Sequence, residues 1–270
     1  MNSSKIIRIL SRKSDLAVIQ AKQVGFEISN KFPEIKIEYI TKKTSGDVDL
    51  KTPLSQMQST GVFTDDLRNS LINNKCDIVV HSWKDLPLDL GFETLIAGSL
   101  KRFDQRDILF IKKNKIEEIK KNKSIKILSS SPRRIYNLEP FVKEYLPFLI
   151  EKINFLNIRG NIPLRFKKFL DGDEDCLIVA KAAIDRLLNN NIENFNEVRN
   201  LIRTYIEKCL WTVTPLSQNP TSPGQGALAI EVKKNNTNLI SIIKKISDHK
   251  TVNYVTKERE ILKQYGGGCH

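Results

Sequence analysis

The residues of this sequence that could do chemistry are a carboxylate directly after a buried apolar run, a thiol behind three glycines, and scattered arginines. Asp85 closes His81-Ser82-Trp83-Lys84-Asp85, and the run Ile78–His81 leads into it. A carboxylate at a strand end, with Lys84 beside it, stays ionised and can oppose a developing cation or relay a proton. For an isolated aspartate, a helix cap or surface ion pair is the competing reading. His81 by itself reads as a satisfied core histidine. In Gly266-Gly267-Gly268-Cys269 the glycines allow close backbone approach and leave a thiol accessible. Such a thiol near cationic groups ionises and becomes a nucleophile. A frayed end with an incidental cysteine fits the same residues, and sequence physics leaves both readings open.

The arginines Arg12, Arg102, Arg106, Arg133, Arg134, Arg159, Arg165 and Arg186 stand singly or in pairs, Arg12 beside Ser11 and Arg159 beside Gly160. That is the style of carboxylate recognition by a planar fork. A formal net charge of +13 over 270 residues calls for an acidic partner: nucleic acid, an anionic surface or a polycarboxylate ligand. Lysine runs such as Lys112 to Lys123 read as solvated surface. Cys76, Cys176 and Cys209 look like core thiols, and the absence of a C-x-x-C pair removes zinc-knuckle and thioredoxin chemistry. Gly266 stands where haem attachment would need a first cysteine. No apolar run approaches the roughly 20 residues of a membrane helix, and the start Met-Asn-Ser-Ser-Lys lacks a signal-peptide core. A cytoplasmic protein is expected.

Short apolar runs alternate with helical stretches, so these groups are positioned by α/β units with a largely parallel sheet. The sequence predicts strands Ile6–Leu10, Ile35–Thr41 and Ile78–His81 with helices Leu16–Phe32 and Gly61–Asn73. A second round has strands Ile125–Leu128, Ile153–Asn157 and Cys176–Ala180 with helices Pro132–Lys143, Ile162–Asp171 and Ala183–Leu188. Strand Ala227–Val232 and helices Asn238–Ser247 and Val252–Tyr265 follow Gly224-Gln225-Gly226. The repeated layout predicts two similar lobes with a cleft between. Ser11-Arg12-Lys13-Ser14 and Ser129-Ser130-Ser131-Pro132-Arg133-Arg134 then occupy equivalent strand ends, where helix N-termini favour anions. Arg159-Gly160-Asn161, with Arg165 further along, opens another helix in the same way.

Taken in order, RILSRKSDLAVIQA, TSGDVDLKTPL, GVFTDDL, DIVVHSWKDLP, FDQRD, SSSPRR, NIRGN, GQGALAIE and the terminal KERE–GGGC resemble the porphobilinogen deaminase (hydroxymethylbilane synthase) family across nearly the whole chain. The resemblance implies two lobes similar to type II periplasmic binding proteins, residues 1–100 completed by 220–236 and residues 105–216. It also implies an α+β third domain, 237–270, that is C-terminally incomplete and carries the cofactor cysteine. By the same resemblance Cys269 forms a thioether to dipyrromethane, and Asp85 stabilises the cationic azafulvene and pyrrole nitrogens. Lys84, Ser131, Arg133, Arg134 and Arg159 match positions that hold cofactor. Arg12, Ser14, Phe63, Arg165, Arg186 and Gln225 match substrate-binding or entrance positions, and no metal is implied. The reaction implied is the condensation of four porphobilinogen molecules, in a monomer coupled in function to uroporphyrinogen-III synthase, without nucleic acid or membrane.

Thr60 stands where the family usually has lysine, Trp83 where methionine is commoner, and Lys181 and Ala183 alter the pattern before Arg186. The chain stops one residue after Cys269, from which a weakly held third element with partial cofactor loading is expected. The alternatives are a degenerate homologue that only binds polycarboxylates, a non-catalytic anion-binding protein, and a nucleic-acid binder supported by net charge alone.

Overall fold

A computed structural model describes residues 6–44, 46 and 64–265. They form two compact units, the first from residues up to 46, 64–103 and 223–265, the second from 104–222.

The first unit is built on β1 (Ile6–Arg12), β2 (Lys36–Lys42), β3 (Ile78–Ser82), β4 (Thr94–Gly98) and β10 (Leu228–Lys233), in the order β2-β1-β3-β10-β4. Helix α1 (Asp15–Lys31) joins β1 to β2, and α2 (Asp65–Ile72) precedes β3. β1 runs parallel to β2 and β3, while β10 is antiparallel to both its neighbours. The second unit repeats this plan with β5 (Asp107–Lys112), β6 (Ser124–Leu128), β7 (Lys152–Leu156), β8 (Cys176–Ala180) and β9 (Cys209–Val213), ordered β7-β6-β8-β5-β9. Its helices are α3 (Ile116–Asn122), α4 (Pro132–Tyr145), α5 (Ile162–Asp171), α6 (Lys181–Leu188) and α7 (Asn196–Glu207). Here β6 is parallel to β7 and β8, and β5 is the reversed strand. The expected two α/β lobes are therefore present, but each sheet is mixed: apolar runs announce burial, not strand direction.

Fully buried strand residues such as Ile9, Ile78, Leu109, Ile125 and Leu177 carry both cores. Helix α8 (Thr237–Ile246) adds Leu239, Ile242 and Ile243 to the first unit's core against Ile7, Val80 and Ile230. Burial of each such side chain is worth roughly 1.5–3 kcal/mol. Helix α9 (His249–Gln264) places Val255 beside Trp83, Leu86, Ala227 and Ala229. The resemblance places α8 and α9 in a third domain; in the structure their apolar residues pack with those of the first unit. No helix among the described residues is long and apolar enough to cross a membrane.

Candidate active site

In the first unit, β1 and β3 are parallel neighbours, so the Arg12–Ser14 loop and the Trp83–Asp85 turn leave the sheet at the same edge. Carboxyl ends of parallel strands are where open α/β sheets take ligands. Ser14 caps α1 with extended backbone, and its hydroxyl makes no capping hydrogen bond. Arg12 is half-buried.

Residues 83–85 form one 3-10 turn held from several sides. Trp83, 5% exposed, anchors it in the core, and its N–H donates to Ala227 O at 3.0 Å. Gly224 has φ +77°, and a Cβ there would lie 3.2 Å from Trp83 Cβ and 3.3 Å from Lys84 N. Only glycine takes that conformation this close to the turn. Lys84 Nζ donates to Oε1 of buried Gln225 at 3.1 Å, and buried Gln20 Nε2 donates to Ser82 Oγ at 3.1 Å. The half-buried Asp85 carboxylate makes no hydrogen bond or ion pair among the described residues. Its surroundings are fixed while its oxygens stay available.

The Gln225 segment is fixed by α9. Glu258 accepts from Arg102 Nη1 at 2.6 Å, Arg102 Nη2 at 3.0 Å and Gly224 N–H at 2.8 Å. Arg102 Nε donates to Gln225 O at 2.8 Å. Arg102 and Arg106, read from sequence as carboxylate receptors, thus bind the chain's own carboxylates, Glu258 and Asp104. Deeper in the unit, His81 Nε2 lies 2.8 Å from Glu231 Oε2, and Glu231 Oε1 accepts from Arg68 and Thr94. Burial pushes the Glu231 carboxyl up, but the hydrogen bond and charge of His81, the Arg68 charge and the Thr94 hydroxyl bring it down to about 2. His81 is the satisfied core histidine the sequence suggested.

In the second unit, β6, β7 and β8 are likewise parallel, and Ser131, Arg159 and the start of α6 follow their carboxyl ends. Ser131 caps α4 in extended conformation with its hydroxyl unused in capping, and Pro132 opens the helix. Ser130 Oγ donates to Ile158 O at 2.7 Å and accepts from Ile158 N at 2.8 Å. That exchange brings the Ser131 and Arg159 loops together. Asn161 caps α5 by accepting from Leu164 N–H at 3.0 Å, and Arg165 Nε donates to Gly160 O at 2.7 Å. Arg159 and Arg186 are 8% and 3% exposed; burial pulls the Arg186 guanidinium down to about 10.

Arg133 and Arg134 converge on Asp107, which is fully buried at the start of β5. Arg133 also donates to Asn219 Oδ1 at 3.1 Å, Pro220 O at 2.6 Å and Ser222 Oγ at 3.2 Å. Asn219 Nδ2 returns a hydrogen bond to Asp107 at 3.0 Å. Burial raises the Asp107 carboxyl, yet Arg134 and Arg133 outweigh it and hold it well below the usual carboxylate range.

Phe63 and Cys269 lie outside the described residues. The other three cysteines are buried; burial pushes the Cys76 thiol up to about 12 and Cys209 to about 11, and raises Cys176 well above its ordinary value. None of the three is a ready nucleophile. Sequence reasoning missed Asp107, Asn219, Glu258 and Arg259 as supports, because no local pattern ties together partners that lie from 26 to 176 positions apart.

Two α/β units of one topology, each with hydroxyls and guanidiniums at the carboxyl ends of parallel strands, and in the first unit an aspartate unengaged among the described residues, suit the handling of acidic small molecules. A family model described as "Porphobilinogen deaminase, dipyromethane cofactor binding domain" matches residues 7–241. A protein of Picrophilus torridus named "Probable porphobilinogen deaminase" is 35% identical over 263 residues, covering 97% of this chain and 82% of its own. The "Porphobilinogen deaminase" of Chlorobaculum tepidum is 32% identical over 266 residues, covering 98% and 77% respectively. The solved methionine binding protein MetQ is similar at a TM-score of 0.49 and 9% identity, over 96% of each chain. The chain belongs to the porphobilinogen deaminase family.

Proposed function

We propose that this chain joins four porphobilinogen molecules head to tail into linear hydroxymethylbilane, releasing ammonia at each step of tetrapyrrole biosynthesis. The observation that carries the assignment of Asp85 is that its carboxylate makes no hydrogen bond or ion pair among the described residues, on a turn whose Trp83 N–H and Lys84 ammonium are tied down. When ammonia leaves the substrate's aminomethyl carbon a cation remains, and a fixed carboxylate opposes that charge without reorganising. Proton movement at the pyrrole nitrogens falls to the same oxygens.

A dipyrromethane attached through Cys269 supplies the primer pyrroles when bound. Each pyrrole brings two carboxylates, and the donor set suits them: Ser131 leaves its hydroxyl unused in capping, Arg134 and Arg159 are buried guanidiniums, and Asp107 balances only one of the Arg133–Arg134 charges. Arg133, Arg134, Arg159, Ser131 and Lys84 then hold the primer's acetate and propionate groups. Arg12, Ser14, Arg165, Arg186, Phe63 and Gln225 receive those of the incoming substrate. Residues 237–270 act as the cofactor-bearing part, and the enzyme works as a cytoplasmic monomer whose product passes to uroporphyrinogen-III synthase.

The test is product formation from porphobilinogen by the wild-type chain and by Asp85→Asn. The amide keeps the shape and removes the charge, so turnover should fall about 100-fold or more with the fold intact. Normal product formation by Asp85→Asn would refute the role.

A further inference from the structure

We infer that Arg259 is a positioning residue for Asp85, holding the turn that carries it by its backbone carbonyls. Arg259 Nη1 donates to Leu86 O at 3.2 Å and reaches Trp83 O at 3.5 Å, and Nη2 donates to Pro87 O. These carbonyls bracket Asp85 in the chain. A turn of three residues satisfies little of its own backbone: Leu86 N–H returns to Trp83 O at 3.2 Å, and the carbonyls beyond need donors from elsewhere. One guanidinium fork meets all three oxygens, which a lysine, with a single ammonium on a flexible stem, does not do.

Arg259 is itself placed by rigid contacts. Val255, one turn earlier on α9, lies in the Trp83 cluster, and the adjacent Glu258 is clamped by Arg102 and Gly224. The helix therefore carries two adjacent ties of different purpose. Glu258 fixes the Gly224–Gln225 segment, while Arg259 fixes the far side of the Asp85 turn. Displacement of a reacting group by about 1 Å can cost on the order of 100-fold in rate, so loosening the turn acts on the chemical step while leaving the arginines proposed to receive the incoming substrate, Arg12, Arg165 and Arg186, in place.

The inference rests on the role proposed for Asp85, and a double-mutant cycle on the purified, cofactor-loaded protein separates the two. Arg259→Gln is expected to lower kcat per folded molecule by about 100-fold, with KM for porphobilinogen changed less than about threefold. Arg259→Lys should recover part of that loss. Combined with Asp85→Asn, Arg259→Gln should slow the enzyme no further than Asp85→Asn alone. Independent, multiplying losses would overturn the positioning role, as would a raised KM at unchanged kcat. If Arg259→Gln does not fold, the same cycle with Arg259→Lys decides between coupled and independent effects. Wild-type turnover in Asp85→Asn alone overturns the role of Asp85 and the inference with it, and the single variant identifies that cause.

Discussion

Arg134 Nη2 donates at 2.8 Å to Oδ1 of Asp107, a carboxylate with no solvent exposure. Arg133 takes the other oxygen at 2.7 Å. One buried negative charge thus orients two guanidiniums at the start of a helix, and the surplus positive charge is what an acidic ligand would meet. The first consequence is for stability.

Replacing Asp107 by Asn leaves two partly or fully buried guanidiniums without a counter-charge, a change that costs about 3–5 kcal/mol. Urea unfolding should show a loss of that size, together with impaired cofactor assembly. A loss below about 1 kcal/mol would mean that the Arg133–Asp107–Arg134 arrangement is not a buried ion cluster.

Acid should act on both units through their depressed carboxyls. The Glu231 carboxyl sits at about 2 in the folded chain against an ordinary 4.5, so it binds its proton more readily when unfolded. Its contribution to stability is complete above its ordinary value and is lost as pH falls from there toward about 2. Asp107 acts in the same direction and further into acid. Urea midpoints should fall across this window, and Glu231→Gln should flatten the fall. Stability that rises on acidification would contradict the assignment.

Arg186 offers the opposite balance. Its guanidinium titrates at about 10 instead of 12.5 because it is buried, so at neutral pH its charge is held at a cost to the fold. Arg186→Met should keep or raise the unfolding temperature while lowering kcat/KM by about tenfold or more, the pattern of a residue retained for function. Reduced stability with unchanged kcat/KM would assign Arg186 to the core instead.

The strand ends were legible in the sequence because apolar runs such as Ile78–His81 and Ile125–Leu128 break abruptly into Ser, Arg, Lys and Asp. The topology confirms that the Ser11–Ser14 and Ser129–Arg134 loops occupy equivalent places. β5 is absent from the sequence reading altogether, although all six of its residues are buried, and the reversal of β10 is not legible, since residues buried on both faces look alike in either direction. β9 leaves no strand signal in the sequence because Cys209–Val213 is a short edge strand with Leu210 and Trp211 exposed, which breaks the period-2 pattern. α7 was hidden behind the asparagine-rich stretch 189–196, which reads as loop, and its N-cap makes no side-chain hydrogen bond.

The role of an arginine is not written in its neighbours along the chain. Arg12, Arg102 and Arg133 share one local style, yet Arg102 serves Glu258 and Arg133 serves Asp107, Asn219, Pro220 and Ser222. Whether a fork faces an internal carboxylate or a ligand is decided by partners that the fold brings from far along the chain.

The proposed function turns on dipyrromethane held by one particular thiol, Cys269, as the primer on which product is built. Intact mass followed by peptide mapping of the purified protein tests it most directly. Two pyrrole units should be found on Cys269, with Cys76, Cys176 and Cys209 unmodified behind their buried, high-pKa thiols. Further mass should be added in porphobilinogen-minus-ammonia steps when substrate is supplied. An unmodified Cys269 after incubation with porphobilinogen, or pyrrole attached to any of the other three cysteines, would contradict it.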